Sequence, residues 1–184
     1  MYEVIDNFLS EEELEKIQST FFPQTEFALV FFVGPDLNNP NDFTWTYQKG
    51  IVRNPDLGST GYEDYDWIWV HPLYSSDNGL KFDKFYPVVK PIIDKLKVKK
   101  LFDIRANLLV PTKEHIYHEF HTDRKVPHTV ALFYVTINNG FTILKDTAKV
   151  DCIQNRMLLF DGSIEHHSVT STDEPRCVIN LNFN

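Results

Sequence analysis

From residue 101 to the end of the chain, short apolar runs alternate with turn-forming residues. The predicted strands are Phe102–Val110, Tyr117–Asp123, Thr129–Ile137, Phe141–Leu144, Val150–Ile153, Arg156–Phe160, His167–Thr170 and Arg176–Phe183. Asn138-Asn139-Gly140 and Asp161-Gly162-Ser163 are turn signals between them. Many short strands of even spacing predict a double-stranded β-helix, the jelly-roll, cupin-like architecture. The last strand alternates most clearly. Arg176, Val178, Asn180 and Asn182 share one face, and Cys177, Ile179, Leu181 and Phe183 share the other. The apolar face calls for a hydrophobic layer outside the barrel, which puts a guanidinium inside. A buried arginine needs an acid, either from the protein or from a ligand bearing a carboxylate.

The first hundred residues change period. Tyr2–Leu9 reads as an opening strand. Ser10 and Glu13 have capping-box spacing before Leu14, Ile17 and Phe21, so a helix starts there and closes at Pro23. Phe27–Val33 reads as a strand and residues 34–42 as a turn cluster. Tyr62, Tyr65, Trp67 and Trp69 crowd an acidic stretch, either a lid over a site or a loop packed on the barrel. Phe82, Phe85, Tyr86, Val89, Ile92, Ile93 and Leu96 recur at helical spacing, and Pro87 and Pro91 within them call for a kink or a late start. The lysines at 95, 97, 99 and 100 suit a helix C-terminus. The whole is expected to be mainly β with flanking helices. It reads as a single domain, 1–184, with N-terminal helices and an aromatic loop region over 1–100 and the jelly-roll core over 101–184.

Composition narrows the partners. A net charge of −8 argues against a phosphate-binding stripe, and hence against nucleic acid as a partner. Cys152 and Cys177 lack metal-ligand spacing and read as two buried thiols in a reducing compartment. The longest apolar run is too short to cross a bilayer, and the acidic N-terminus is unlike a secretion signal. The expectation is a soluble, cytoplasmic protein.

Chemistry enters at His121-Thr122-Asp123, where a histidine is followed two positions on by an acid. On a strand these side chains project together, supplying two of three ligands of a 2-His-1-carboxylate triad of the kind that holds non-haem Fe(II). His166 and His167 are both candidates for the third.

His121-x-Asp123, His166 some forty residues later and Arg176 ten beyond that resemble the signature of the Fe(II)- and 2-oxoglutarate-dependent dioxygenases. The likeness is to the prolyl-4-hydroxylase-like branch and to small oxygenases of bacteria and their phages. Arg105-Ala106-Asn107-Leu108, Leu132-Phe133-Tyr134-Val135-Thr136, Asn138-Asn139-Gly140-Phe141-Thr142 and Asn155–Gly162 are similar to segments around that signature. The resemblance covers residues 101–184, with a further likeness at Val4–Ser10. It implies that His121, Asp123 and His166 hold Fe(II) and that Arg176 grips the far carboxylate of 2-oxoglutarate. Tyr134, Asn107 and Thr142 would complete the co-substrate site. His115, His118 and His128 are expected in loops or behind the ligands. Two positions depart from the pattern: Val178 stands where a small hydroxyl residue is common, and Leu109-Val110 replace a frequent tyrosine.

The activity implied is hydroxylation of a C–H bond with O2, 2-oxoglutarate being converted to succinate and CO2, in the host cytoplasm if the chain is phage-encoded. The substrate implied is a prolyl or other residue of a protein. Alternatives are a free amino acid or small metabolite, a jelly-roll binding module with an inert metal site, and a cupin-like metalloenzyme that does not use 2-oxoglutarate.

Overall fold

The computed structural model describes residues 1–21, 45–49, 67–77 and 83–184. The strand expected at 27–33, the turn cluster at 34–42, and Tyr62 and Tyr65 lie outside the described residues. The strands are β1 (Tyr2–Ile5), β2 (Thr46–Lys49), β3 (Trp67–Ser75), β4 (Leu101–Leu109), β5 (Thr129–Tyr134), β6 (Phe141–Leu144), β7 (Ala148–Asp151), β8 (Arg156–Asp161), β9 (His166–Val169) and β10 (Arg176–Phe183). Helices α1 (Glu11–Phe21) and α2 (Tyr86–Lys95) precede the β-rich half.

A seven-stranded sheet runs β1-β8-β5-β10-β4-β3-β2, and a three-stranded sheet runs β7-β6-β9. Every pairing is antiparallel. The first hundred residues thus supply strands as well as helices. Trp67 and Trp69 sit on β3, inside the large sheet, not in a loop.

The local signals explain the helices. Ser10 N–H donates to Glu13 Oε2 at 3.0 Å, and Glu13 N–H donates back to Ser10 Oγ at 3.3 Å, closing the capping box of α1. Ile17 and Phe21 are buried on its inner face. Helix α2 starts late, at Tyr86, with Pro87 in its first turn, where a missing N–H costs nothing.

Two apolar layers result. The outer one joins Ile17 and Phe21 of α1 and Val89 and Ile92 of α2 to one face of the large sheet, with Ile104, Phe133, Ile179 and Leu181. The inner one, with Val130, Leu132, Leu144, Val150, Leu158 and Val178, lies between the two sheets. Both cysteines are free and buried. No helix of the described residues is long and apolar enough to cross a membrane.

The strand expected over Tyr117–Asp123 does not form. Only two isolated bridges occur there, Tyr117 to Val169 and His121 to His166. Four steps of chain separate Tyr117 from His121, against three on the β9 side. The extra residue breaks the ladder as a bulge does. Thr129–Ile137 is also shorter than expected, its strand ending at Tyr134.

Candidate metal centre

The bridge between His121 and His166 brings together residues far apart in sequence. His121 N–H donates to His166 O at 3.0 Å and His166 N–H donates to His121 O at 2.9 Å. Directly opposed residues of an antiparallel pair project to the same side. The imidazoles accordingly lie with ring centres 4.5 Å apart. Asp123 Oδ1 is 3.4 Å from His121 Nε2 and 3.8 Å from His166 Nε2. Ligand atoms of His121, Asp123 and His166 all lie within 4.8 Å of one another. His167 turns away: Nδ1 contacts His118 O, and the ring stacks on Phe120 at 4.2 Å.

Electrostatics leave Asp123 and His166 in the form a cation needs. Burial alone would push the Asp123 carboxyl up, but the approach of His121, the charges of His166 and Arg105 and the Asn180 amide hold it well below the usual carboxylate range. Asn180 Nδ2 donates to Asp123 Oδ2 at 3.0 Å. Burial takes His166 down to about 4, so at neutral pH its imidazole is neutral with a lone pair free. Two imidazole nitrogens and a carboxylate oxygen on one side are a donor set that fits Fe(II).

Arg176 begins the inward face of β10 and is 4% exposed. One Nη donates to Thr142 Oγ1 at 2.8 Å, and the guanidinium lies 5.6 Å from the centre of the Tyr134 ring. Its Nε is buried with no hydrogen-bond partner, and among the described residues no carboxylate pairs with it. A cavity joins this guanidinium to the histidines, lined also by Asn107, Thr142, Val178 and Asn180. Asn107 Oδ1 is likewise buried and unpartnered. Orphaned polar atoms of this kind are rare in folded proteins and fit a polar ligand with a carboxylate. Gly140 lets the turn approach: a Cβ there would come within 3.1 Å of Arg176 Cδ and 2.9 Å of Asn138 Oδ1.

Tyr134 is fully buried and donates to Thr142 Oγ1 at 2.8 Å. It reaches Arg176 through that hydroxyl. Burial raises its phenol to about 12, so it remains a donor. Four further histidines stand outside the cluster. His71 Nε2 lies 3.3 Å from Asp83 Oδ1, His115 Nδ1 2.6 Å from Thr170 O, His118 Nδ1 2.9 Å from Ser168 O, and His128 Nδ1 2.8 Å from Val126 O. Sequence reasoning missed Asn180 as a partner of Asp123, although the alternation of β10 had already turned it inward.

No protein-family model matches the chain, and no curated protein sequence matches it. Solved structures do. A prolyl hydroxylase from Trichoplax adhaerens, in complex with a hypoxia-inducible factor oxygen degradation domain peptide, aligns with TM-score 0.61 and 12% identity over 99% of this chain and 82% of that one. An oxidoreductase of the 2OG-Fe(II) oxygenase family from Burkholderia pseudomallei aligns with TM-score 0.63 and 9% identity over 100% of this chain and 84% of that one. The chain has the fold of the 2OG-Fe(II) oxygenases. A third member of this oxygenase fold is the non-heme alpha ketoglutarate dependent epimerase SnoN from nogalamycin biosynthesis, with TM-score 0.57 and 12% identity over 100% of this chain and 77% of that one. One scaffold therefore serves a peptide hydroxylase and an epimerase, and the reaction has to be argued from the site.

Proposed function

We propose that the protein is an Fe(II)- and 2-oxoglutarate-dependent oxygenase that hydroxylates a C–H bond. The observation that carries this is a pairing. Three metal-competent side chains converge within 4.8 Å, and the cavity beside them holds a buried guanidinium with no carboxylate partner among the described residues. In this reading His121, Asp123 and His166 hold Fe(II), and Arg176 with Thr142 takes the distal carboxylate of 2-oxoglutarate. Bound together, metal, 2-oxoglutarate and O2 supply the oxidising chemistry: one oxygen atom enters the substrate C–H bond, the other enters succinate, and CO2 leaves.

The chain's own part is positioning. Asn180 fixes the carboxylate of Asp123 by donating to the oxygen that does not face the imidazoles. The paired backbone bonds of His121 and His166 hold the two rings in register. Tyr134 and Arg176 both donate to the Thr142 hydroxyl, which leaves the remaining Arg176 donors for a ligand. Arg176 and His166, toward the two ends of the co-substrate site, are both buried. A peptidyl proline as substrate is supported by likeness to the peptide-bound prolyl hydroxylase, and a small metabolite by likeness to the epimerase. The cupin-like and binding-module readings leave Arg176 without a role.

The test is an anaerobic titration of the protein with Fe(II) and 2-oxoglutarate. A visible metal-to-ligand charge-transfer band, absent in Asp123→Ala, is the expected result. Metal binding without the band sinks the 2-oxoglutarate assignment.

A further inference from the structure

Strand β4 turns Ile104, Ala106 and Leu108 toward the outer core and Asp103, Arg105 and Asn107 inward. Opposite them on β10 stand Asn182, Asn180 and Val178. Asp103 and Arg105 face a second cavity, on the far side of the metal centre from Arg176, with Asp123 in its wall. Arg105 lines both cavities. Arg176 pairs across the ladder with Leu109, four residues along β4 from Arg105, so the two guanidiniums serve opposite ends of the site.

The charges of this second cavity do not cancel locally. At one end a single cation is shared by two acids. Arg124 Nη1 donates to Asp103 Oδ2 at 2.8 Å and Nη2 donates to Asp77 Oδ2 at 2.6 Å, with the guanidinium 4.7 Å from the Phe102 ring centre. Asn182 adds a neutral donor to Asp103 Oδ1 at 2.9 Å. Among the described residues that end keeps an excess of negative charge. At the other end Arg105 makes no hydrogen bond to an acid among the described residues. Its Nε is buried without a partner among them. The carboxylate it approaches is that of Asp123, at 3.9 Å, beyond hydrogen-bond distance and already engaged by His121 and Asn180. The Arg105 side chain remains 39% exposed, toward the cavity.

An acceptor of cations and a donor to carboxylates, two positions apart on one strand face, match a zwitterion. We propose that this cavity takes a free α-amino acid, its carboxylate on Arg105 and its ammonium toward Asp103 and Asp77. An internal residue of a peptide carries neither charge and leaves both ends unanswered. The inference rests on the oxygenase reading and narrows it: the substrate is a free amino acid, not a peptidyl residue.

The experiment uses the full chain loaded anaerobically with Fe(II) and 2-oxoglutarate. Each of the twenty free L-amino acids is added, then its N-acetyl-N′-methylamide, which keeps the side chain and removes both charges. Binding is read from perturbation of the charge-transfer band, and coupling from succinate release on admitting O2. At least one free amino acid is expected to perturb the band while its blocked form does not. Arg105→Gln is expected to weaken that binding by about 10- to 100-fold, with Arg105→Lys intermediate, as loss of a charge-assisted fork requires. Blocked forms binding as well as free ones, no free amino acid binding, or wild-type affinity in Arg105→Gln with the band intact each overturn the proposal. Absence of any band in the wild-type protein overturns the oxygenase reading beneath it, a separate and visible outcome. Should Arg105→Gln not fold, as judged by melting, Arg105→Lys carries the same comparison.

Discussion

The two faces of β10 are equally buried and unlike in every other respect. Cys177, Ile179, Leu181 and Phe183 pack into the layer under the helices. Arg176, Asn180 and Asn182 are no more than 4% exposed, yet Arg176 Nε and Asn182 Oδ1 have no hydrogen-bond partner. A folding chain gains nothing from burying a guanidinium and amides in this state. One face is therefore explained by folding alone, and the unpartnered polar atoms of the other by what they bind. The same contrast repeats on β4, where Ile104, Ala106 and Leu108 back onto Asp103, Arg105 and Asn107.

Substitutions can break this division. Asp123→Ala removes a proposed metal ligand without touching the outer layer. Turnover of 2-oxoglutarate should be abolished while the melting temperature of the metal-free protein stays close to wild type. Normal turnover would remove the metal assignment. Ile179→Ala, one position from Asn180 but on the opposite face, should do the reverse. It opens a cavity in the outer core and is expected to cost about 2–5 kcal/mol in urea unfolding, with the charge-transfer band preserved at temperatures where the protein is folded. Arg176→Met should weaken 2-oxoglutarate by roughly 10- to 100-fold, the loss of about 1.5–3 kcal/mol of charge-assisted bonding, while metal-free stability is unchanged or rises because an uncompensated buried charge is gone. Unaltered co-substrate affinity would contradict its role. The smallest effect is a control: Ser10→Ala opens the capping box of α1 and should cost about 1 kcal/mol, measured by thermal unfolding, leaving both cavities intact.

The sequence was legible where local chemistry and global packing agree. Ser10 and Glu13 announce α1, and the alternation from Arg176 to Phe183 matches the observed strand residue for residue. His166 and His167 could not be told apart by spacing. What favours His166 is its paired backbone bonds with His121, a contact across the fold. Tyr117–Asp123 was misread because a bulge looks like a strand until its partner is known. Arg105 went unremarked as a charge facing a cavity, although the alternation Asp103, Arg105, Asn107 against Ile104, Ala106, Leu108 was there to be seen. What period alone cannot reveal is whether an inward arginine meets an acid. That depends on Arg124, which takes up Asp103 and Asp77 and leaves Arg105 only Asp123, at 3.9 Å.

Strand β1 pairs with β8, so Tyr2 lies opposite Phe160. The clasp beside it is as remote: Leu9 N–H donates to Asn155 Oδ1 at 2.8 Å, and Asn155 Nδ2 donates to Leu9 O at 2.9 Å. During synthesis β1 must therefore wait until β8 has been made before it finds its neighbour. Closing so long a loop is slow, though only modestly more costly than closing a shorter one. The β1 edge of the large sheet is thus set only once β8 is in place, and until then its backbone donors and acceptors stand open to other chains.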